Sequence, residues 1–294
     1  MADTEIEMIR AFLAASPAPQ SIAELRAMYD GMGSQFPTAE DVTLEPVSAG
    51  GVPAEWSRTP GAASDAALLY LHGGGYVIGS IASHRHLASE LGRAAGVPSL
   101  AIDYRMAPED PFPAAVDDAL AAYRYLLDKG IPAARIAIAG DSAGGGLTVA
   151  LLLAIKAAGL PQPACAVPIS PWVDMAATGG TMETKAASDP MVQKQALLDW
   201  AGLYLGATAA SHPLASPIHG DLAGLAPLLI QVGSEETLLD DAIMLAARAG
   251  HAQVPVTLEI APEMIHVWHF FHPMLAGGRR AIADAGVFMR GHMA

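Results

Sequence analysis

The stretch RIAIAGDSAGGGLTVALLLAIKAAG, residues 135–159, decides the fold. Its first five residues form a short apolar run of the kind that fills a buried strand. Its last fourteen form a longer apolar segment of helical length. Between them lies G-x-S-x-G, centred on Ser142. A strand that turns directly into a helix through one serine needs small residues two before and two after it, because a side chain at either place would collide with the turn. The helix that opens at Ala143 aims its unpaired N–H groups and the positive end of its dipole at whatever reacts there. A strand, a sharp turn carrying an exposed hydroxyl and a helix together predict a nucleophile elbow in an α/β fold.

The rest of the chain agrees. Apolar strands are expected at 66–72, 98–104, 164–170, 227–233 and 256–261. Helices are expected at 84–95, 113–129, 238–250 and about 278–292. Near-continuous apolar strands alternating with helices indicate a mostly parallel sheet covered on both faces. Residues 42–48 and 52–59 flank Gly50-Gly51 and read as an antiparallel hairpin leading into that sheet. Two segments break the alternation. Residues 1–40 hold two helical patterns, and residues 174–215 hold an insertion expected to be largely helical. The expected organisation is an N-terminal cap segment (1–40), an α/β core (41–173 and 216–294) and an inserted cap segment (174–215).

Composition narrows the function. The chain of 294 residues is 52% hydrophobic with a formal net charge of −14. That charge repels phosphate backbones and anionic lipid surfaces, which argues against nucleic-acid binding or stable membrane association. The single cysteine, Cys165, lies in an apolar strand and reads as a small buried residue. The acidic start MADTEIEMIR lacks the basic region of a signal peptide, and no apolar run approaches the ~20 residues of a membrane span, so a cytoplasmic location is expected.

A second motif, LHGGGYVIGS (71–80), ends the strand at 66–72. Consecutive glycines let backbone N–H groups approach a ligand without Cβ interference. Gly73 and Gly74, with Ala143, are the expected oxyanion donors. His72 reads as a structural residue bonded to backbone. The base should follow the last strand, where EIAPEMIHVWHFFHPM places His266, His269 and His272. Their i, i+3, i+6 spacing is a poor metal-ligand pattern, and His266 lies nearest the strand end. The acid should lie in QVGSEETLLDD (231–241). There Thr237 and Asp240 have the form of a capping box, Asp240 and Asp241 suit the first turn of a helix, and Glu235 and Glu236 remain in the loop. In YRMAPED (104–110), Arg105 and Glu109 read as a fixing ion pair within scaffold.

HGGGYV, DYRMAPEDPFPAAVDD (103–118) and GDSAGG, in that order, resemble the bacterial hormone-sensitive-lipase family of α/β-hydrolases, the family IV esterases. The likeness runs from about residue 40 to the end. It implies an eight-stranded sheet with a helical cap, Ser–acid–His catalysis without cofactor or metal, and small-molecule esters of short to medium acyl chain as substrates. The family pattern G-x-x-acid-x-L falls on Gly233 to Leu238 and selects Glu236, where the family's usual residue is Asp. The family's histidine, followed by an apolar or aromatic pair, falls on His266. Tyr76, Met191, Trp200 and Tyr204 are candidates for lining the substrate pocket. A homodimer through the final strand fits the resemblance. The competing readings are another acyl hydrolase (amidase, peptidase or thioesterase) and a non-catalytic small-molecule receptor on the same fold.

Overall fold

A computed structural model describes residues 2–15 and 21–293. In chain order the strands are β1 (Thr43–Ala49), β2 (Val52–Arg58), β3 (Ala67–Leu71), β4 (Ser99–Ile102), β5 (Ile136–Asp141), β6 (Cys165–Ile169), β7 (Leu228–Gly233) and β8 (Val256–Ala261). The helices are α1 (Ala2–Ala14), α2 (Ile22–Ser34), α3 (Ile81–Ala95), α4 (Ala114–Asp128), α5 (Ala143–Ala157), α6 (Thr181–Thr184), α7 (Lys194–Leu205), α8 (Leu239–His251) and α9 (Ala276–His292). The strands form one eight-stranded sheet in the order β1-β2-β4-β3-β5-β6-β7-β8. β1–β2 and β2–β4 pair antiparallel and every other neighbour pairs parallel, so the expected hairpin and parallel sheet are both present.

The period-two alternation of a strand explains how one apolar run serves two cores. In β3 and β5, Leu69, Leu71, Ile136 and Ile138 enter one core, with residues of α4, α5 and α8. Leu68, Tyr70, Ala137 and Ala139 enter the other, with residues of α3 and α9. Cys165 is buried in this second core, where loss of solvation pushes its thiol up to about 12. The order β4-β3-β5 reverses the direction of winding between β3 and β5. The carboxyl ends of two strands at such a reversal leave a crevice for ligands. HGGG leaves β3 there and the serine leaves β5.

The segments outside the alternation pack against this end of the sheet. Arg26 of α2 donates to the Val77 and Ala107 carbonyls at 2.8 and 2.9 Å and pairs with Glu109 at 2.8 Å. Arg10 of α1 reaches the Ser188 carbonyl at 2.7 Å, joining the N-terminal helices to the insertion. The insertion is less helical than its sequence suggests: within 174–215 only α6 and α7 are α-helix. Asp174 accepts the Ala176 and Thr178 amides, and Asp189 accepts those of Met191 and Val192. Such local side-chain-to-backbone bonds offer the chain an alternative to helix.

Two local expectations are corrected. Arg105 pairs with Asp118, at 2.8 Å, and Glu109 belongs to Arg26, so these motif residues anchor α4 and α2 separately. The capping box at Thr237 does not form, since α8 starts after Leu238 with no side-chain cap. Thr237 instead gives its N–H and hydroxyl to Asp189, and Asp240 accepts the Thr181 amide. Both residues hold the insertion. Asp241 does more than face a helix dipole: it is fully buried, accepts the Val173 and Asp174 amides, and is pushed by burial up to about 8.

Candidate active site

Ser142 follows β5 directly, at φ 55° and ψ −118°, a strained backbone that is rare for any residue with a side chain. The strain persists because the residues flanking the serine are tightly packed. A Cβ at Gly140 would lie 2.4 Å from the Gly144 carbonyl oxygen, and one at Gly144 would lie 2.0 Å from that of Leu71. The Ser142 amide donates to the Ile169 carbonyl at 2.8 Å. The residue stays partly exposed in otherwise buried surroundings.

His266 lies in the loop after β8, with Nε2 2.9 Å from Ser142 Oγ. Its Nδ1 is 2.9 Å from Glu236 Oε2. The second carboxylate oxygen, Oε1, accepts the Ser170 hydroxyl at 2.7 Å and the Gly233 amide at 2.5 Å. Ser170 Oγ in turn accepts the Val267 amide at 3.1 Å. Ser170 therefore joins the ends of β6 and β7 to the histidine loop. Its signal in the sequence was only its place one residue after a strand. Glu236 is fully buried; loss of solvation raises its pKa, and His266, Gly233 and Ser170 restrain the rise. For His266, burial opposes the imidazolium but the adjoining Glu236 outweighs it, leaving the ring above the ordinary histidine value.

Glu235 is directed elsewhere. It meets Lys185 of the insertion at 3.3 Å and Ser234 Oγ at 3.1 Å. Burial opposes its charge, yet bonds to Ser188, Lys185 and Ser234 hold it below the usual carboxylate range. His269 and His272 also point away from the serine. His269 Nε2 contacts Gln231 Oε1 at 2.9 Å, and His272 stacks on His86 at 5.5 Å. Among the described residues, no three His, Cys, Asp or Glu side chains are grouped to hold a metal ion.

The glycine loop departs from expectation at one position. The Gly73 N–H donates to Asp141 Oδ1 at 3.0 Å, so it is not a free donor. The Gly74 and Gly75 amides have no acceptor among the described residues, and the Ala143 amide opens α5, where no intrahelical partner exists. Gly74 has φ 117° and a Cβ there would lie 2.2 Å from the Ile78 carbonyl oxygen. At Gly75, with φ 61°, a Cβ would enter the Trp200 ring, 1.8 Å from Cε3. His72 is structural, its Nδ1 donating to the Gly73 carbonyl at 2.8 Å; burial lowers its pKa to about 3, which keeps the ring neutral.

The four pocket candidates separate. Tyr76 and Tyr204 are buried and stacked on each other at 3.9 Å, as core packing behind the loop. Trp200, partly buried, covers Gly75. Met191 packs against the opposite core from Trp200.

A hydroxyl on a strained turn, a ring nitrogen within hydrogen-bond reach, a buried carboxylate behind it and unpaired amides alongside make up an arrangement able to carry out acyl transfer. The class is that of hydrolases built on a nucleophile elbow. Comparison with known proteins bears this out. A profile of the alpha/beta hydrolase fold matches residues 68–270. An acetyl-hydrolase of Streptomyces hygroscopicus is 50% identical over 99% of this chain and 97% of its own. An ethyl acetate hydrolase of Pseudomonas putida is 34% identical over 94% and 88%. The crystal structure of an esterase from the bacterial hormone-sensitive lipase family superposes with a TM-score of 0.96, at 49% identity, over 100% of this chain and 98% of that one. The chain belongs to the α/β-hydrolase family, within its bacterial hormone-sensitive-lipase group, and is a carboxylic ester hydrolase.

Proposed function

We propose that this ester hydrolase cleaves short- to medium-chain acyl esters through Ser142, His266 and Glu236, by way of an acyl-enzyme. The continuous relay from Ser142 Oγ to His266 Nε2 and from His266 Nδ1 to Glu236, 2.9 Å at each step, carries the reading. His266 takes the hydroxyl proton as Ser142 attacks the ester carbonyl. Glu236 fixes the ring so that Nε2 is free to accept, and stabilises the cation that forms. The tetrahedral oxyanion is held by the amides of Gly74, Gly75 and Ala143. Gly73, already bonded to Asp141, is left out of that set. Collapse expels the alcohol with the proton from His266, and water then resolves the acyl group through the same base.

Helices α1 and α2 and the segment 174–215 act together as a cap: the contact of Arg10 with Ser188 supports their union, and that of Lys185 with Glu235 ties the insertion to the core beside Glu236. Trp200, descending from the insertion onto Gly75, limits room beside the oxyanion donors, in keeping with short acyl chains. The names of the acetyl- and ethyl acetate-hydrolase relatives point the same way. A panel of p-nitrophenyl esters of rising chain length tests this. Turnover should be highest on the shorter acyl groups and fall steeply with length; a preference for long chains would refute it.

Two further results are expected. A general base works only when neutral, so kcat/KM should fall as pH drops through the free-enzyme pKa of His266. Because Glu236 raises that pKa, the acid limb should have its midpoint above the unperturbed value of about 6.5. A midpoint well below that value would contradict the contact. Gly74→Ala keeps the N–H but sets a Cβ 2.2 Å from the Ile78 carbonyl oxygen, so the loop must shift. Misplacing this donor should cost roughly 10²–10³ in kcat, the usual effect of losing one. Steady-state kinetics on the folded variant checks this, and an unchanged kcat would remove Gly74 from the set.

A further inference from the structure

Asp141 stands beside the serine in sequence but takes no part in the relay from Ser142 to Glu236. Its side chain is fully buried between β5, β3 and α3. Oδ1 accepts the Tyr70 hydroxyl at 2.5 Å and the Gly73 amide at 3.0 Å. Oδ2 lies 3.3 Å from His84 Nε2, in a pair whose side chains are each 1% exposed. His84 Nδ1 is in turn 2.8 Å from Ser83 Oγ in the first turn of α3. A carboxylate withdrawn from water is costly unless it is paired and hydrogen-bonded. Here Tyr70 and Gly73 bond Oδ1, while His84 Nε2 faces Oδ2 at ion-pair distance without hydrogen-bond geometry. The fit also requires glycine at position 73, since a Cβ there would lie 2.1 Å from Asp141 Oδ2.

The consequence falls on the peptide that carries the Gly74 amide. In a trans peptide the C=O of one residue and the N–H of the next point in opposite directions. Asp141 holds the amide of Gly73 and His72 holds its carbonyl, so both ends of this residue are fixed. The direction of the Gly74 N–H is then fixed as well. Gly144, in the first turn of α5, approaches so closely that a Cβ on it would lie 2.5 Å from the His72 carbonyl oxygen, which holds the loop beside the serine.

We propose that Asp141, held by His84 and Tyr70, is a positioning residue that sets the oxyanion donors of the 73–75 loop. The proposal rests on the serine-hydrolase reading above. Pre-aligned donors matter in the transition state more than in the Michaelis complex, so removing the alignment lowers kcat and leaves KM nearly alone.

The test compares Asp141→Leu, which keeps bulk but accepts nothing, with Asp141→Asn, whose amide oxygen can still receive Tyr70 and Gly73 while its NH2 faces His84. On p-nitrophenyl acetate, kcat of Asp141→Leu should fall roughly 10²-fold with KM within about threefold. The inhibition constant of a trifluoromethyl ketone, which forms a tetrahedral oxyanion on the serine, should rise in parallel. Asp141→Asn should recover most of the loss. Should Asp141→Leu fail to fold, His84→Leu against His84→Gln gives the same comparison one residue further out. His84→Leu should lower kcat by about tenfold, with Gln restoring it through its own N–H donor. A folded Asp141→Leu or His84→Leu protein with unchanged kcat would overturn the proposal. So would a loss confined to KM or to melting temperature with the ketone still bound as tightly. Ser142→Ala run alongside keeps the two readings apart: if it stays active the serine mechanism fails, and if it is inert while Asp141→Leu is fully active, only the positioning role fails.

Discussion

Ser142→Ala is expected to abolish ester hydrolysis, lowering kcat by about 10⁵–10⁶-fold while leaving the fold intact. The size of the effect follows from the relay. Without the hydroxyl there is no acyl-enzyme, and His266 has no proton to take. What remains is binding and oxyanion stabilisation acting on a water that the site does not position. The change removes one partly exposed oxygen and leaves the amide bond from Ser142 to the Ile169 carbonyl in place. Circular dichroism and thermal melting should therefore match the parent. The elbow strain, at φ 55°, is a backbone property that alanine shares, so no relief of strain obscures the comparison. Turnover of p-nitrophenyl acetate by both proteins decides the matter, and near-equal rates would exclude Ser142 as nucleophile.

The second large effect separates two neighbouring carboxylates. Glu236→Gln should lower kcat by roughly 10⁴-fold, because an amide beside His266 Nδ1 stabilises the wrong tautomer and cannot balance the imidazolium. The same carboxylate accepts Ser170 and the Gly233 amide through Oε1, so the variant keeps part of its anchoring if the amide oxygen takes that position. Glu235→Gln should change kcat by no more than about threefold, since it loses only a partly exposed contact to Lys185, of the kind worth little. Kinetics on the pair, with melting curves, checks the assignment. An active Glu236→Gln protein beside an inert Glu235→Gln protein would reverse it.

The strands and helices of the core were legible because each apolar run has both a length and a boundary. The elbow was legible because Gly140, Ser142 and Gly144 fall where a strand must become a helix. Glu236 was a different matter. Spacing left it level with Glu235, and the choice rested on family resemblance. Physically the two part only when β7 meets the histidine loop, which turns Glu236 inward and Glu235 toward Lys185. Thr237 misled because a capping box looks only within its own helix, whereas Asp189 reaches it from 48 residues away in sequence. Arg105 misled for the same reason, with Asp118 thirteen residues on outcompeting Glu109. Asp141, Ser170 and His84 were silent in the sequence, since what each does depends on strands that become neighbours only in the sheet. The same holds for Gly73, whose amide is taken by Asp141, a contact that no spacing in the sequence reveals.

The central claim is that ester hydrolysis proceeds through a covalent bond to Ser142. Titration with a fluorophosphonate, followed by intact-mass and peptide mass spectrometry, tests it most directly. One adduct per chain should form on the peptide carrying Ser142, with activity lost in proportion to labelling. Full occupancy of Ser142 with hydrolysis undiminished, or complete inactivation by an adduct on a different residue, would contradict the account.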